Sequence, residues 1–104
     1  MVEHIVLVKW KATADPAKIA EVQEATIALK DKIPGIIDVA FGEDFTKARS
    51  LGFTHGLVMR MDKKETVKVY EQHPEHIKVL KKMIPLAEKF LTIDFESPRH
   101  VSRL

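Results

Sequence analysis

The chain has 104 residues, of which 45% are hydrophobic and 31% charged, with a formal net charge of +2. That length suits one domain with a single core, and that composition belongs to folded rather than disordered proteins. The near balance of charge gives a nucleic-acid partner no electrostatic footprint, the lack of cysteine excludes a disulfide framework and a thiol nucleophile, and no apolar run approaches the roughly 18 residues of a membrane span.

Residues 2–10, VEHIVLVKW, are rich in β-branched side chains and carry apolar groups on both alternating sides. Val6, Val8 and Trp10 lie with His4, and Ile5 and Leu7 lie opposite. This predicts a strand covered on both faces. Asp15 followed by Pro16 is a helix start, an N-cap acceptor before a ring that suits the first turn. The helix is predicted to run to about Lys32, with Ile19, Val22, Leu29 and Ile33 on its apolar stripe and Lys18, Glu21, Glu24 and Lys32 outside it. Thr26 falls on that stripe. Pro34-Gly35 ends the helix, IIDVAFGEDF reads as a second strand ending near Gly42, and FTHGLVMRM reads as a third.

In DKKETVKVYEQ, Val67 and Tyr70 share a helix face. Pro74 disfavours a helical backbone at His73 and lacks the N–H that would continue the helix, so the segment breaks there and a new helix opens. Its expected inward residues are Ile77, Leu80, Met83 and Ile84, with Pro85 kinking or closing it. Phe90 to Glu96, FLTIDFE, is predicted as the fourth strand. The order βαββαβ indicates an α+β, ferredoxin-like subunit, a four-stranded antiparallel sheet with helices on one face. A single helical layer leaves the other sheet face apolar, which predicts a homodimer with a barrel-like centre.

The break at YEQHPEHIKVL is where chemistry is expected. With Pro74 opening the helix, His76 lies in its first turn, where free N–H groups and the helix dipole disfavour imidazolium and favour the neutral form that a general base needs. Tyr70 offers a phenol for a carbonyl or enol oxygen, and His4 a further donor or acceptor. Bland roles compete: His73 as a helix cap, Tyr70 as a core aromatic, His4 as a partly buried strand histidine, His55 as structural, His100 as solvated. His-x-x-His can hold zinc, but no third ligand has convincing spacing. Gly-rich phosphate loops, Ser-His-Asp arrangements and paired acid/base carboxylates are not recognisable.

The stretches VEHIVLVKW, DVAFGEDF, GFTHGLVM, YEQHPEHIKVL and LTIDFESP, in this order across nearly the whole chain, resemble the stress-responsive dimeric α+β barrel (Dabb) family, and within it the plant heat-stable members and a polyketide cyclase. The resemblance implies one Dabb domain over residues 1–104 and a homodimer of ferredoxin-like subunits. It also implies a site in which His76 is the base for aldol cyclisation of a poly-β-keto thioester, Tyr70 positions it, and His4 and His73 line or support the pocket. Thr26 stands where that cyclase has a tyrosine, which leaves the substrate open. No cofactor is required on this reading, and a structural Mg2+ held by main-chain oxygens of Lys30, Ile33, Pro34 and Ile36 is implied by some members. The other class of function is a non-catalytic, stable dimer or a binder of a small apolar ligand. With no secretory pattern at the N-terminus the expected location is cytoplasmic. The ending Ser102-Arg103-Leu104 is close to the tripeptide read for peroxisomal import and gives the alternative.

Overall fold

The computed structural model of the chain describes residues 1–98, so His100 and Ser102-Arg103-Leu104 lie outside the described residues. The elements are β1 (Val2–Trp10), α1 (Pro16–Ala28), β2 (Ile36–Glu43), β3 (His55–Met61), α2 (Lys64–Gln72), α3 (Pro74–Met83) and β4 (Ala87–Glu96), with 3-10 turns at Leu29–Asp31 and Ile84–Leu86. The sheet order is β2-β3-β1-β4 and each neighbouring pair is antiparallel. This is the ferredoxin-like arrangement, and it puts β1 between β3 and β4, with one face of the strand under the helices.

Local chemistry sets the element ends. The Asp15 carboxylate accepts from the Ala17 N–H at 2.9 Å with Pro16 in the first turn. The α-helical part of α1 stops at Ala28, and a tighter turn carries the chain on towards Gly35, whose φ of 95° favours a residue without Cβ. Val22, Leu29 and Ile33 are buried on the predicted stripe, and Thr26 is buried with them.

Two sequence expectations are corrected. β4 begins at Ala87 rather than Phe90, because Ala87 pairs with Trp10 beyond a register shift and the Lys11 N–H bonds to the Leu86 carbonyl at 2.8 Å. Of the residues expected inward here, Met83 packs on the core and Leu80 lines the cavity below, whereas Ile77 and Ile84 are exposed, at 38% and 52%, and Val79 packs on the core in their place. Helical spacing sets His76, Val79 and Met83 on one inward line, with Ile77 off it. Pro85 closes α3 in the Ile84–Leu86 turn.

The helix-covered face carries the core. Val2, His4, Val6, Val8 and Trp10 of β1 are all buried there, with Met59 and Met61 of β3 fully enclosed. On the opposite face the register aligns Ala40, Val58, Ile5 and Ile93 in one row across all four strands, and Gly42, Gly56, Leu7 and Leu91 in the next. A third row, Asp38, Arg60, Glu3 and Phe95, bounds them, with Arg60 Nε donating to the Glu3 carboxylate at 2.7 Å.

Candidate active site

Between the helices and the covered sheet face lies a cavity of about 270 Å³. Its polar end is built by His4 from β1, Tyr70 and Glu71 from α2, His76 from α3 and Thr92 from β4, and its apolar remainder includes Phe41, Leu57, Met83 and Phe90. Four separate elements therefore meet at one site, and the His73-Pro74 break is what brings α3 to it. His73 is extended, with φ −70° and ψ 132°, the conformation expected before proline. Its ring Nδ1 accepts from the Glu75 N–H at 3.1 Å and its carbonyl from the Ile77 N–H at 3.1 Å, so His73 caps α3. The cavity lining excludes it.

Opening at Pro74, α3 carries the His76 ring to 4.0 Å from the Tyr70 ring, centroid to centroid. His76 Nδ1 stands 3.2 Å from the Glu71 carbonyl oxygen. A carbonyl can only accept, so Nδ1 carries the proton and Nε2 keeps its lone pair. Burial lowers the His76 pKa below its ordinary value of 6.5; the bond to the Glu71 carbonyl opposes this and the His4 charge reinforces it. Burial thus favours the neutral form of this imidazole. Burial also pushes the Tyr70 hydroxyl well up, with the charges of Asp94 and Glu71 adding to it, so the phenol remains an O–H donor at neutral pH.

On the other side of Tyr70, the His4 ring makes an edge contact at 5.1 Å. His4 is buried, and its Nδ1 lies 2.5 Å from Asp94 Oδ1. Thr26 lines the cavity, but its hydroxyl donates to the Val22 carbonyl at 2.7 Å, so its proton is committed to its own helix. Tyr70, His76, His4 and Thr26 therefore converge, whereas His73 works beside them. His55 belongs elsewhere: its ring packs on Trp10 at 6.0 Å and Phe41 at 6.5 Å, and Nδ1 lies 3.0 Å from the Thr54 hydroxyl. A larger depression, about 540 Å³, lies under the β2–β3 loop but has no histidine or tyrosine in its lining.

Residues 2–97 match the family model described as Stress responsive A/B Barrel Domain, Dabb. The chain belongs to the Dabb family. An Arabidopsis thaliana stress-response A/B barrel domain-containing protein is 29% identical over 100 residues, 95% of this chain and 38% of that protein, so the chain spans well under half of that relative. Olivetolic acid cyclase from Cannabis sativa is 30% identical over 99 residues, 94% of this chain and 97% of the cyclase. Among solved structures, a protein of Arabidopsis thaliana superposes with a TM-score of 0.86 at 28% identity, covering 98% of this chain and 99% of that one. A dimeric ferredoxin-like protein from Thermobifida fusca gives a TM-score of 0.78 at 26% identity, covering 90% and 88%.

For this Dabb domain, Asp94 is the site residue that the sequence reading missed. Alternation in LTIDFE sets Thr92 and Asp94 on one side of β4, but only the pairing of His4 with Asp94 shows which residue the carboxylate meets. Among the described residues no group of three His, Cys, Asp or Glu side chains is placed to hold a metal. The main-chain positions Lys30, Ile33, Pro34 and Ile36 follow one another through the turn after α1, where helix-end carbonyls are hard donors of the kind Mg2+ takes. The Ile33 oxygen is shared with a long 3.4 Å bond from the Ile36 N–H. The donors fit such an ion in kind, and it would brace the turn.

Proposed function

We propose that this Dabb-domain protein is a homodimer whose subunits each carry a cofactor-independent acid–base site, and that the site performs aldol-type cyclisation of a poly-β-keto thioester with His76 as general base. The observation that carries the reading is the His76 imidazole: neutral by burial, with Nδ1–H committed to the Glu71 carbonyl, and therefore basic at Nε2 in a cavity shared with Tyr70. The similarity to olivetolic acid cyclase supports the class of reaction. The open apolar face, together with structural neighbours described as dimeric, supports the homodimer.

The chemistry is a short sequence. His76 Nε2 takes a proton from the carbon between two carbonyls, and the electron pair of that C–H bond passes into an enolate. The Tyr70 O–H, kept protonated, donates to the enolate oxygen as charge develops there. The carbanion then attacks a second carbonyl of the same chain, forming a carbon–carbon bond and an alkoxide that takes up a proton. Thr26, a small side chain on the cavity wall, sets how much of the substrate tail the apolar end accepts.

The test is incubation of the protein with poly-β-keto thioesters of graded chain length. Ring-closed product formed faster than in buffer is the expected result, and no acceleration with any chain length refutes the cyclase. A second reading, a stable dimer that binds a small apolar ligand, draws on the lining of Phe41, Leu57, Met83 and Phe90. It predicts a ligand-induced rise in melting temperature without turnover. Two further proposals are separable. Mg2+ at the turn after α1 predicts a melting temperature that rises with magnesium and not with sodium at matched ionic strength. Peroxisomal import through Ser102-Arg103-Leu104, against a cytoplasmic location, predicts that a fluorescent fusion with this free C-terminus collects in peroxisomes and disperses without Leu104.

A further inference from the structure

His4 and His76 flank the same tyrosine ring but have opposite partners. His76 donates Nδ1–H to an uncharged carbonyl, whereas His4 faces the Asp94 carboxylate at 2.5 Å across directly paired strands. An ionised carboxylate only accepts, so His4 Nδ1 carries the proton in that bond and Nε2 is left as the ring atom free for the cavity that His4 lines. A distance of 2.5 Å marks a strong, charge-assisted contact, and the His4 side chain is 7% exposed against 34% for Asp94.

We propose that Asp94 and His4 form a second acid–base dyad in this cavity, the one that serves oxygen while His76 serves carbon. Asp94 is the positioning residue: it fixes the His4 tautomer and stabilises positive charge on the ring. His4, protonated at Nε2, gives that proton to the alkoxide formed by carbon–carbon bond formation. His76 has meanwhile gained the proton lost by carbon, so the substrate's proton count is unchanged, and a proton passing from His76 to His4 through the Tyr70 hydroxyl or solvent restores both. The ionisable groups facing His4 are Asp94 from β4, Tyr70 and the Glu71 carboxylate from α2, and His76 from α3. The pairing of a neutral imidazole with a carboxylate-backed one gives acid and base separate owners.

This inference rests on the acid–base reading of the cavity, and its test separates the two. Cyclisation and the proton NMR spectrum are followed for the wild type, Asp94→Asn and His4→Gln, with melting temperatures alongside. Asp94→Asn is expected to lower the rate by about 10²-fold, the low end for a positioned acid or base, with the melting temperature retained. The strongly hydrogen-bonded His4 Nδ1 proton should give a far-downfield NMR resonance in the wild type that is lost in Asp94→Asn. His4→Gln should lose both the resonance and the rate. A wild-type rate in Asp94→Asn, or a lowered rate with the resonance unchanged, overturns the dyad while leaving His76 as base. An inactive wild type overturns the parent reading and the dyad with it. Asparagine keeps the shape and an acceptor oxygen; should this variant unfold, Asp94→Glu must retain both rate and resonance, and failure to do so also counts against the proposal.

Discussion

Replacing Ile93 with lysine tests the open sheet face. Ile93 lies in the middle apolar row, paired with Ile5, and is 53% exposed in the single chain. Fully burying an isoleucine is worth about 1.5–3 kcal/mol, so covering the exposed half contributes about 1 kcal/mol per copy and about 2 kcal/mol per two-fold dimer. Ile93→Lys removes that gain and places an ammonium group from each copy in a dry interface, which costs several kcal/mol more. A total loss of about 5 kcal/mol raises the dimer Kd by about 10³- to 10⁴-fold. Sedimentation over a micromolar concentration series is the assay. The wild type should sediment as a dimer and Ile93→Lys as a monomer, while Ile27→Lys, at a site 44% exposed on α1, should remain dimeric. Dimerisation of Ile93→Lys with wild-type affinity, or a wild type that is monomeric throughout, refutes the assignment of this face.

Acid should weaken both fold and reaction. The His55 and His76 pKa values are lowered in the folded chain, chiefly by burial, so the unfolded chain binds protons more readily. Their stabilising contribution is complete above the ordinary value of 6.5 and is lost as pH falls through the lowered values, which a melting-temperature series would read. The acid limb of the rate should lie below 6.5 for the same reason, and a limb above it contradicts a lowered His76 pKa. Gly35→Ala puts a Cβ at 2.6 Å from Thr66 Cγ2 and 2.9 Å from Asp62 Oδ1, at a φ of +95°. Urea unfolding should show a loss of about 2 kcal/mol or more, and an unchanged midpoint refutes the close packing there. His73→Ala should cost about 1 kcal/mol, the usual worth of a helix cap, and leave the proton-transfer step measured per folded molecule intact.

Much of this architecture is legible in the sequence because its signals are local. The alternation in VEHIVLVKW, the Asp15-Pro16 start, the Pro34-Gly35 stop and the His73-Pro74 break each specify backbone conformation within a few residues, and the structure follows them. The signals that failed depend on phase or partner. Ile77 and Ile84 fit an apolar stripe with Leu80 and Met83, but the packed helix turns the line of His76, Val79 and Met83 inward, and apolar spacing alone does not choose between the two lines. Ala87-Glu88-Lys89 has no strand pattern of its own and becomes strand by pairing beside Trp10 and Lys9. The meeting of Tyr70 and His76 was readable from their short separation across the break. The bond from His4 to Asp94 spans nearly the whole chain, and only sheet register could reveal it.

The central claim is that His76 is a neutral base acting on a carbon acid, and α-proton exchange measures that act without requiring ring closure. A β-keto thioester incubated with the protein in D2O is followed by NMR for deuterium uptake at the carbon between the carbonyls, comparing wild type with His76→Gln at matched melting temperature. Exchange faster than in buffer is expected for the wild type, with a loss of about 10²- to 10⁴-fold in the variant, the contribution of a positioned general base. Equal exchange by the two proteins contradicts it.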